Sequence, residues 1–443
     1  MDRKYILSHV DELSADQLVN FIKQGIVSLE ELRKTELLDK SKYNKIKVLL
    51  KVVDMEDDNT WNFYRNTEQG CREYLTRYPN GKNILEAKRK IDDFDQQRKE
   101  ENAERNNLIE RLRTNPNSFT PAGLRKFLDE NKITTTDLLD AGIPNEIIIR
   151  LDNIVTPRVE LGITPDSIPE GYTEVYFWGI PGSGKTCALA AVLSTSTRMG
   201  YLEIANGPGY DYMLKLQNIF SNKISFLPAA SPVDTTQYLP FTLKKPNEKF
   251  YRSVSLIELS GEIFQCFLYK NANKTLPSSQ HEETFNSLIR FLNGSNRKLH
   301  FFFVDYNQGN DTDSAGYSQN QYLQAATTFF NDKRNNLFSK TTDAIYIVLT
   351  KSDLMPCKKS ERVSQMKDYL QNENFVAFVN SLRAKCDENS INAKRILGTP
   401  FALGKVYFQQ ICEFDPETSQ NIIDILMRRI APKKQSILDV FNK

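Results

Sequence analysis

The sequence predicts an α/β fold with a mostly parallel sheet and one antiparallel hairpin strand, preceded by an all-α N-terminal region. Residues 1–155 carry apolar residues at three- and four-residue spacing, which is typical of amphipathic helices. From residue 174 onward, β-rich apolar runs alternate with helical runs, which favours a mostly parallel sheet. The runs 238–244 and 250–259 are separated only by the short segment 245–249, and so tight a turn forces antiparallel pairing. The predicted strands are 175–178, 238–243, 251–259, 300–304, 344–349 and 406–408.

The N-terminal helical region contains a weak internal repeat. Residues 14–22 align with residues 120–128, and both copies open with a Ser or Thr that can cap a helix. A second short helix follows each copy, and we predict that Ser28 caps the first and that Thr135 or Thr136 caps the second. The repeat therefore predicts two small helical hairpins.

A third helical unit lies between these hairpins. Residues 61–87 predict two amphipathic helices joined by a Pro-Asn-Gly turn, and the unit resembles the helix-turn-helix repeats of bacterial tetratricopeptide-type scaffolds over this short stretch. Residues 84–113 are rich in both charge signs, which is typical of a solvated helix face, with a coiled-coil surface as the alternative. We expect the helical region to bind a protein partner.

Proline and glycine mark the boundary between the helical and α/β regions. Pro157, Gly162, Pro165 and Pro169 fall within a few residues of one another and predict a linker. The expected organisation is a helical adaptor region, a linker, an α/β domain and a C-terminal tail, at residues 1–155, 156–170, 171–430 and 431–443.

Composition excludes several classes of protein. The 443 residues include 58 basic and 56 acidic side chains, so the sequence carries no cationic footprint for nucleic acid. The six cysteines form no CxxC pair, and no apolar run has the length of a membrane span. We therefore expect a soluble, cytoplasmic protein with reduced thiols. The three histidines, His9, His281 and His300, lie near no evident nucleophile, and none is expected to be catalytic.

A complete GxxxxGK[ST] motif occupies residues 179–186, between a predicted strand and a predicted helix. In such a loop the backbone N–H groups and the helix dipole converge on phosphates. Lys185 is expected to reach the β- and γ-phosphates, and the Thr186 hydroxyl is expected to hold Mg²⁺. The motif predicts a nucleoside triphosphate site formed by Gly179, Ile180, Pro181, Gly182, Ser183, Gly184, Lys185, Thr186 and Cys187.

Two further motifs follow in the chain. Glu258-Leu-Ser-Gly261 ends the second strand of the hairpin, and Thr350-Lys351-Ser-Asp353 ends a later strand. Their order and strand context match the DxxG and [NT]KxD motifs of GTPases. The chain therefore resembles a Ras-like (TRAFAC-class) P-loop GTPase domain of the translation-factor-related branch, of an atypical bacterial type. This resemblance implies a P-loop NTPase fold, Mg²⁺ and GTP as ligands, and a switch between GTP and GDP states.

The resemblance implies a guanine-binding role for Thr350, Lys351 and Asp353. The Asp353 carboxylate can accept two hydrogen bonds from the ring N–H and the amine of guanine, whereas adenine presents an acceptor at the first of these positions. The aliphatic stem of Lys351 can lie along the base.

The resemblance also implies a switch. The Gly261 N–H can meet the γ-phosphate, and this contact exists only in the triphosphate state. Thr236, or its neighbour Thr235, precedes the hairpin and is the candidate switch threonine on Mg²⁺.

This sequence departs from the family pattern at two acids. Glu258 replaces the usual Asp, and its longer side chain is expected to reach Mg²⁺ through water. Glu262 stands where many relatives carry a Gln that orients the attacking water, so we expect Lys185, Thr186 and Glu262 to support only slow hydrolysis. Residues 399–404 are a weak match to the last base-binding loop, with an ordinary strand entrance as the alternative.

Two other functions stay open. In the first, Asp305 ends the strand 299–305 as the Walker B acid of a P-loop ATPase; in the second, the chain is an assembly module that binds nucleotide without turnover. The stretch 307–320 predicts a loop over the nucleotide face. Helical repeats fused to an atypical GTPase resemble proteins of bacterial stress or defence signalling, and nucleotide-dependent self-association is a further expectation.

Overall fold

The computed structural model of this chain describes residues 2–152, 165–207, 209–228, 236–309, 311–332, 338, 341–372, 375–388, 396–430 and 432–434. The chain divides into two compact units, Met1–Glu110 with Asn131–Ile133, and Arg111–Glu130 with Thr134–Lys443. This division falls near residue 111, whereas the sequence predicts a linker at 156–170, of which residues 153–164 lie outside the described part.

The first unit contains the helices α1 (Arg3–Ser8), α2 (Ala15–Lys23), α3 (Leu29–Lys34), α4 (Lys40–Tyr64), α5 (Glu68–Arg77) and α6 (Ile84–Thr114) as far as Glu110. Ser14 and Ser28 cap α2 and α3 with reciprocal hydrogen bonds, so the first predicted hairpin is confirmed. The predicted turn between two helices after residue 77 is also confirmed, and there the buried Tyr74 hydroxyl donates to Asp57. Leu18, Leu32 and Ile46 belong to the core of the hairpin.

The second predicted hairpin belongs to the second unit. A 3₁₀ turn (Pro116–Ser118) leads to α7 (Pro121–Asp129), α8 (Thr135–Asp140) and α9 (Asn145–Arg150), and Thr120 caps α7 as predicted. The predicted cap of α8 was wrong by one residue. Thr134 is the cap, because Asp137 three residues later accepts a hydrogen bond from the Thr134 N–H and completes the capping box.

The second unit contains a large mixed sheet. Its strands are β1 (Thr173–Trp178), β2 (Leu202–Ile204), β4 (Thr236–Leu243), β5 (Phe250–Leu259), β6 (Lys298–Asp305), β7 (Thr342–Thr350), β8 (Leu397–Pro400) and β11 (Lys433–Lys434). The order is β2-β4-β5-β1-β6-β7-β8, with β11 on β5. The strands from β5 to β8 in this order are mutually parallel, whereas β4 is antiparallel to both β5 and β2. The predicted α/β fold with a hairpin strand is confirmed.

Helices cover both faces of this sheet, so its central strands are buried throughout. They are α10 (Lys185–Arg198), α11 (Tyr210–Ile219), α12 (Ile263–Asn271), α13 (Ser279–Leu292), α14 (Gln319–Asn331), α15 (Arg362–Gln371), α16 (Val376–Glu388) and α17 (Glu417–Arg429). Alternate residues of β1 point to opposite faces: Val175 and Phe177 pack with α10 and α17, and Tyr176 and Trp178 pack with α12 and α14.

A smaller antiparallel sheet has the order β3-β10-β9, with β3 (Ile224–Phe226), β9 (Gly404–Tyr407) and β10 (Ile411–Phe414). The predicted strand at 406–408 is confirmed at residues 406 and 407, but it belongs to this antiparallel sheet and not to the parallel one. Phe408 and Gln409 adopt positive φ angles of 54° and 61°, which turn the chain back so that β9 pairs with β10. The Asn117 side chain donates to Val406 O at 3.0 Å and accepts from Gln409 N at 3.0 Å, which ties the turn before α7 to this sheet.

The six cysteines are free thiols. Among the helices that the structure describes, none combines the length and the apolar character of a membrane span.

Candidate functional site

The predicted site residues follow the carboxyl ends of neighbouring strands. Because β1, β5, β6 and β7 are parallel, their carboxyl ends lie at one edge of the sheet, and this edge is where α/β folds bind ligands. The 179–186 loop follows β1, Gly261 follows β5, and Lys351 follows β7.

The 179–186 loop folds as a tight cradle at the start of α10. Gly182 and Gly184 have φ angles of +75° and +85°, a left-handed conformation that glycine adopts without strain. Gly184 is the N-cap residue of α10, and the buried Ser183 hydroxyl donates to Ile180 O at 2.8 Å. The first turn of a helix presents N–H groups without intrahelical acceptors, so this arrangement suits an anion.

Lys185 lies inside the loop. Its Nζ donates to Gly179 O at 2.7 Å and to Ile180 O at 2.9 Å. Burial lowers the pKa of Lys185 to about 8, against the opposing influence of the Glu258 charge. The loop thus holds a desolvated cation, whose charged form an added phosphate would stabilise. Cys187, the last predicted loop residue, lies in the first turn of α10.

Thr186 and Glu258 are in direct contact. The Thr186 hydroxyl donates to Glu258 Oε1, and the Tyr212 hydroxyl of α11 donates to Oε2 at 2.6 Å. Burial raises the pKa of Glu258, and these two donors together with Lys185 lower it. Thr236 begins β4 opposite Leu259 and is buried. Its alternative, Thr235, lies outside the described residues.

The donor set has the chemistry of a magnesium site that is shared with a nucleotide. No group of three or more His, Cys, Asp or Glu side chains in the described part of the chain could hold a metal alone. Mg²⁺, however, takes oxygen ligands and commonly combines one or two carboxylates with water and substrate phosphates. A hydroxyl and a buried carboxylate fit that pattern. When bound, the ion would neutralise charge on the phosphates.

Gly261 packs directly on the loop. A Cβ atom at this position would lie 2.1 Å from Pro181 N and 2.5 Å from Ile180 C, so no larger residue fits without movement. The close approach places the Gly261 backbone against the predicted phosphate site.

Glu262 follows at the start of α12, and its Oε2 lies 3.6 Å from His281 Nε2 on α13. The sequence did not associate His281 with the site, because 19 positions separate the two residues and no motif links them. The structure brings an imidazole to the residue proposed to orient water.

Thr350 connects the TKxD segment to the loop. Its buried hydroxyl lies 2.9 Å from Ser183 O and 3.2 Å from Val304 O. Lys351 has a positive φ of 53°, which is uncommon for a residue with a side chain. Its Nζ lies 2.5 Å from Oδ2 of the fully buried Asp305.

Asp305 is therefore paired with Lys351. Its second carboxylate oxygen accepts from Asn307 N at 2.8 Å. The Gln319 side-chain amide accepts from Asp305 N at 2.6 Å and donates to Asp305 O at 3.0 Å. The hydroxyl of Thr186 donates to Glu258.

Asp353 lies in a short 3₁₀ helix (Ser352–Leu354) after β7. Burial raises its pKa, and the charges of Arg362 and Lys351 lower it. Arg362 is a neighbour that the sequence motifs did not predict.

The 399–404 segment lies beside this 3₁₀ helix, because Ser352 N donates to Phe401 O at 3.1 Å. Residues 401–403 lie between β8 and β9, so the segment follows one strand and leads into the next. The Ala402 N–H donates to Thr418 Oγ1 at 3.1 Å.

No family model and no curated protein matches this sequence. Among solved structures, one match is a protein named nucleolar GTP-binding protein 1, from Plasmodium falciparum. It has 11% sequence identity and a TM-score of 0.25, and the match covers 59% of this chain and 89% of that chain. A likeness at this level carries no inference about function.

Proposed function

We propose that this chain is a molecular switch that binds GTP with Mg²⁺ and hydrolyses it slowly. The proposal is supported by two motifs, distant in sequence, that both contact the 179–186 loop. Thr186 donates to Glu258, Gly261 packs on Pro181, and Thr350 reaches Ser183. A loop built only as a structural turn would not require a carboxylate and a closely packed glycine from one distant segment and a hydroxyl from another.

Lys185 and the N-terminus of α10 would bind the β- and γ-phosphates. Thr186, Glu258 and Thr236 would hold Mg²⁺. The Gly261 N–H would distinguish triphosphate from diphosphate, because it lies where the loop meets the end of β5.

Guanine is the favoured base. Thr350 contacts the 179–186 loop, and Lys351 and Asp353 follow it directly, so the two proposed base-binding residues lie next to the phosphate loop. The ATPase alternative requires Asp305 as the acid near the metal. The Asp305 carboxylate instead pairs with Lys351 and accepts from the Asn307 N–H. Glu258 is therefore the favoured acid near the metal.

Hydrolysis would be slow in the isolated chain. Glu262 would place a negative charge near the γ-phosphate, and like charges repel there. The helical region at 1–155 would bind a protein partner, and a signalling role rests only on the resemblance of the sequence.

Calorimetric titration of the full chain with GTP in Mg²⁺ buffer tests the proposal. We expect a single site, and we expect Lys185→Ala or Thr186→Ala to weaken binding at least tenfold, roughly 1.4 kcal/mol. Lys215→Ala, on an exposed position of α11, is a matched control and should bind as the wild type does. Equal affinity of the loop variants and the wild type would refute the phosphate-loop assignment.

A further inference from the structure

Tyr212 reaches the site from an element that carries none of the predicted motifs. It lies on α11, between the loop helix α10 and the hairpin strand β4, and its side chain is 4% exposed. Its hydroxyl donates to Glu258 Oε2 at 2.6 Å. A buried tyrosine hydroxyl requires a partner, but many partners would serve. Here the partner is the one carboxylate that also accepts from Thr186.

Each oxygen of the Glu258 carboxylate therefore has its own donor. Thr186 occupies Oε1 and Tyr212 occupies Oε2, so the carboxylate cannot rotate without losing a hydrogen bond in a buried environment. The glutamate side chain has one more rotatable bond than the aspartate of the DxxG motif. A second anchor restores the fixed orientation that the shorter side chain would have.

This arrangement also orients Thr186. Its hydroxyl hydrogen points to Glu258, so the lone pairs of the oxygen face other directions and can bind a cation. Groups that orient a metal ligand commonly control metal affinity through that ligand.

We propose that Tyr212 is a positioning residue for Mg²⁺, which fixes Glu258 and through it Thr186 so that both are ready for the ion and the triphosphate. This inference rests on the proposed function, because it assumes that Mg²⁺ and nucleotide bind together at this site. It adds α11 to the elements that determine metal affinity.

The test is Tyr212→Phe in the full chain, which keeps the ring and removes only the hydroxyl. The affinity for a fluorescent GTP analogue is measured in EDTA and across a series of Mg²⁺ concentrations. We expect the Mg²⁺ concentration for half-maximal effect to rise about tenfold or more. We expect the affinity in EDTA to stay within about twofold, since the hydroxyl contacts Glu258 and no part of the loop backbone.

Two tyrosines serve as matched controls. Tyr210→Phe removes a hydroxyl from a side chain that is 37% exposed on the same helix. Tyr238→Phe removes a buried hydroxyl that lies 3.3 Å from Ser255 Oγ. Both variants should keep the wild-type dependence on Mg²⁺.

The outcomes separate the inference from the proposed function. If the wild type binds the analogue without any dependence on Mg²⁺, or does not bind it, the proposed function fails. If the wild type depends on Mg²⁺ and Tyr212→Phe shows the same dependence, or weakens binding equally in EDTA, the positioning role is overturned.

A double-mutant cycle with Glu258→Asp tests the same contact from the other side. The shorter carboxylate withdraws from Tyr212, so Tyr212→Phe should add little to Glu258→Asp if the two residues act together. Additive effects of the two substitutions on the Mg²⁺ dependence would overturn the inference. Thermal unfolding of each variant shows whether that variant is still folded.

Discussion

Gly261→Ala would separate two segments that the fold holds in contact. The new Cβ would lie 2.1 Å from Pro181 N and 2.6 Å from Pro181 Cα, whereas ordinary contact begins at 3.4 Å. Both neighbours are backbone atoms of the loop, and the loop is anchored by Thr350 at Ser183 O. We expect the segment after β5 to move away instead, which withdraws the residue 261 N–H from the γ-phosphate.

The expected magnitude follows from the hydrogen bond that is lost. A hydrogen bond to a charged group contributes about 1.5–3 kcal/mol, which corresponds to a tenfold or larger loss of affinity. We therefore expect Gly261→Ala to weaken binding of a non-hydrolysable GTP analogue at least tenfold and that of GDP less than about threefold. Crowding in the packed loop should also lower stability by about 1–3 kcal/mol.

Competition against a fluorescent nucleotide measures both affinities. Gly123→Ala is the control, because a Cβ there meets only the Thr120 side chain, at 3.2 Å, within a helix that favours alanine. Equal losses for the two nucleotides, or no loss for either, would refute the assignment of Gly261 to the γ-phosphate.

Four other outcomes are expected. Because burial lowers the pKa of Lys185 to about 8 and bound phosphate would raise it, GTP affinity should fall as pH rises above about 8, and Lys185→Ala should abolish this dependence in calorimetric titrations. Asp353→Asn should move preference from GTP toward xanthosine triphosphate in competition assays, while retention of full GTP affinity would contradict the role of Asp353. Glu262→Gln should speed single-turnover GTP hydrolysis, because it removes a negative charge near the γ-phosphate. Glu283→Gln, at an exposed position, is the control and should leave the rate unchanged. A tenfold slower rate for Glu262→Gln would instead make the Glu262 carboxylate the group that orients water. Fragment 111–443 should melt at a higher temperature than fragment 165–443, because the longer fragment keeps the hydrogen bonds of Asn117. Both fragments should bind GTP. If fragment 165–443 folds but does not bind GTP, the nucleotide domain is not independent of the preceding residues.

The sequence was sufficient for the central strands of the large sheet and for its hairpin strand. Strands such as β1 and β7 are buried on both faces, and continuous apolar runs are what that burial requires. The 179–186 motif also depends on local backbone conformation, which Gly182 and Gly184 specify.

The features of the fold and the site that the sequence did not predict depend on contacts between residues that are distant in the chain. Tyr212 and Glu258 are 46 positions apart, as are Asp305 and Lys351, and neither pair forms a motif. The three-residue strands β2 and β3 are too short to give a periodic signal. The error at β9 arose because a hairpin turn was made by Phe408 and Gln409, neither of which is a usual turn residue.

The proposed ligand of this site is a guanine nucleotide. The most direct measurement is competition of unlabelled GTP and ATP for the full chain loaded with a fluorescent GTP analogue in Mg²⁺ buffer. We expect GTP to displace the analogue at concentrations at least tenfold lower than ATP, because Asp353 would accept hydrogen bonds from guanine and not from adenine. Equal displacement by the two nucleotides, or a preference for ATP, would refute guanine specificity and favour Asp305 as the acid of an ATPase.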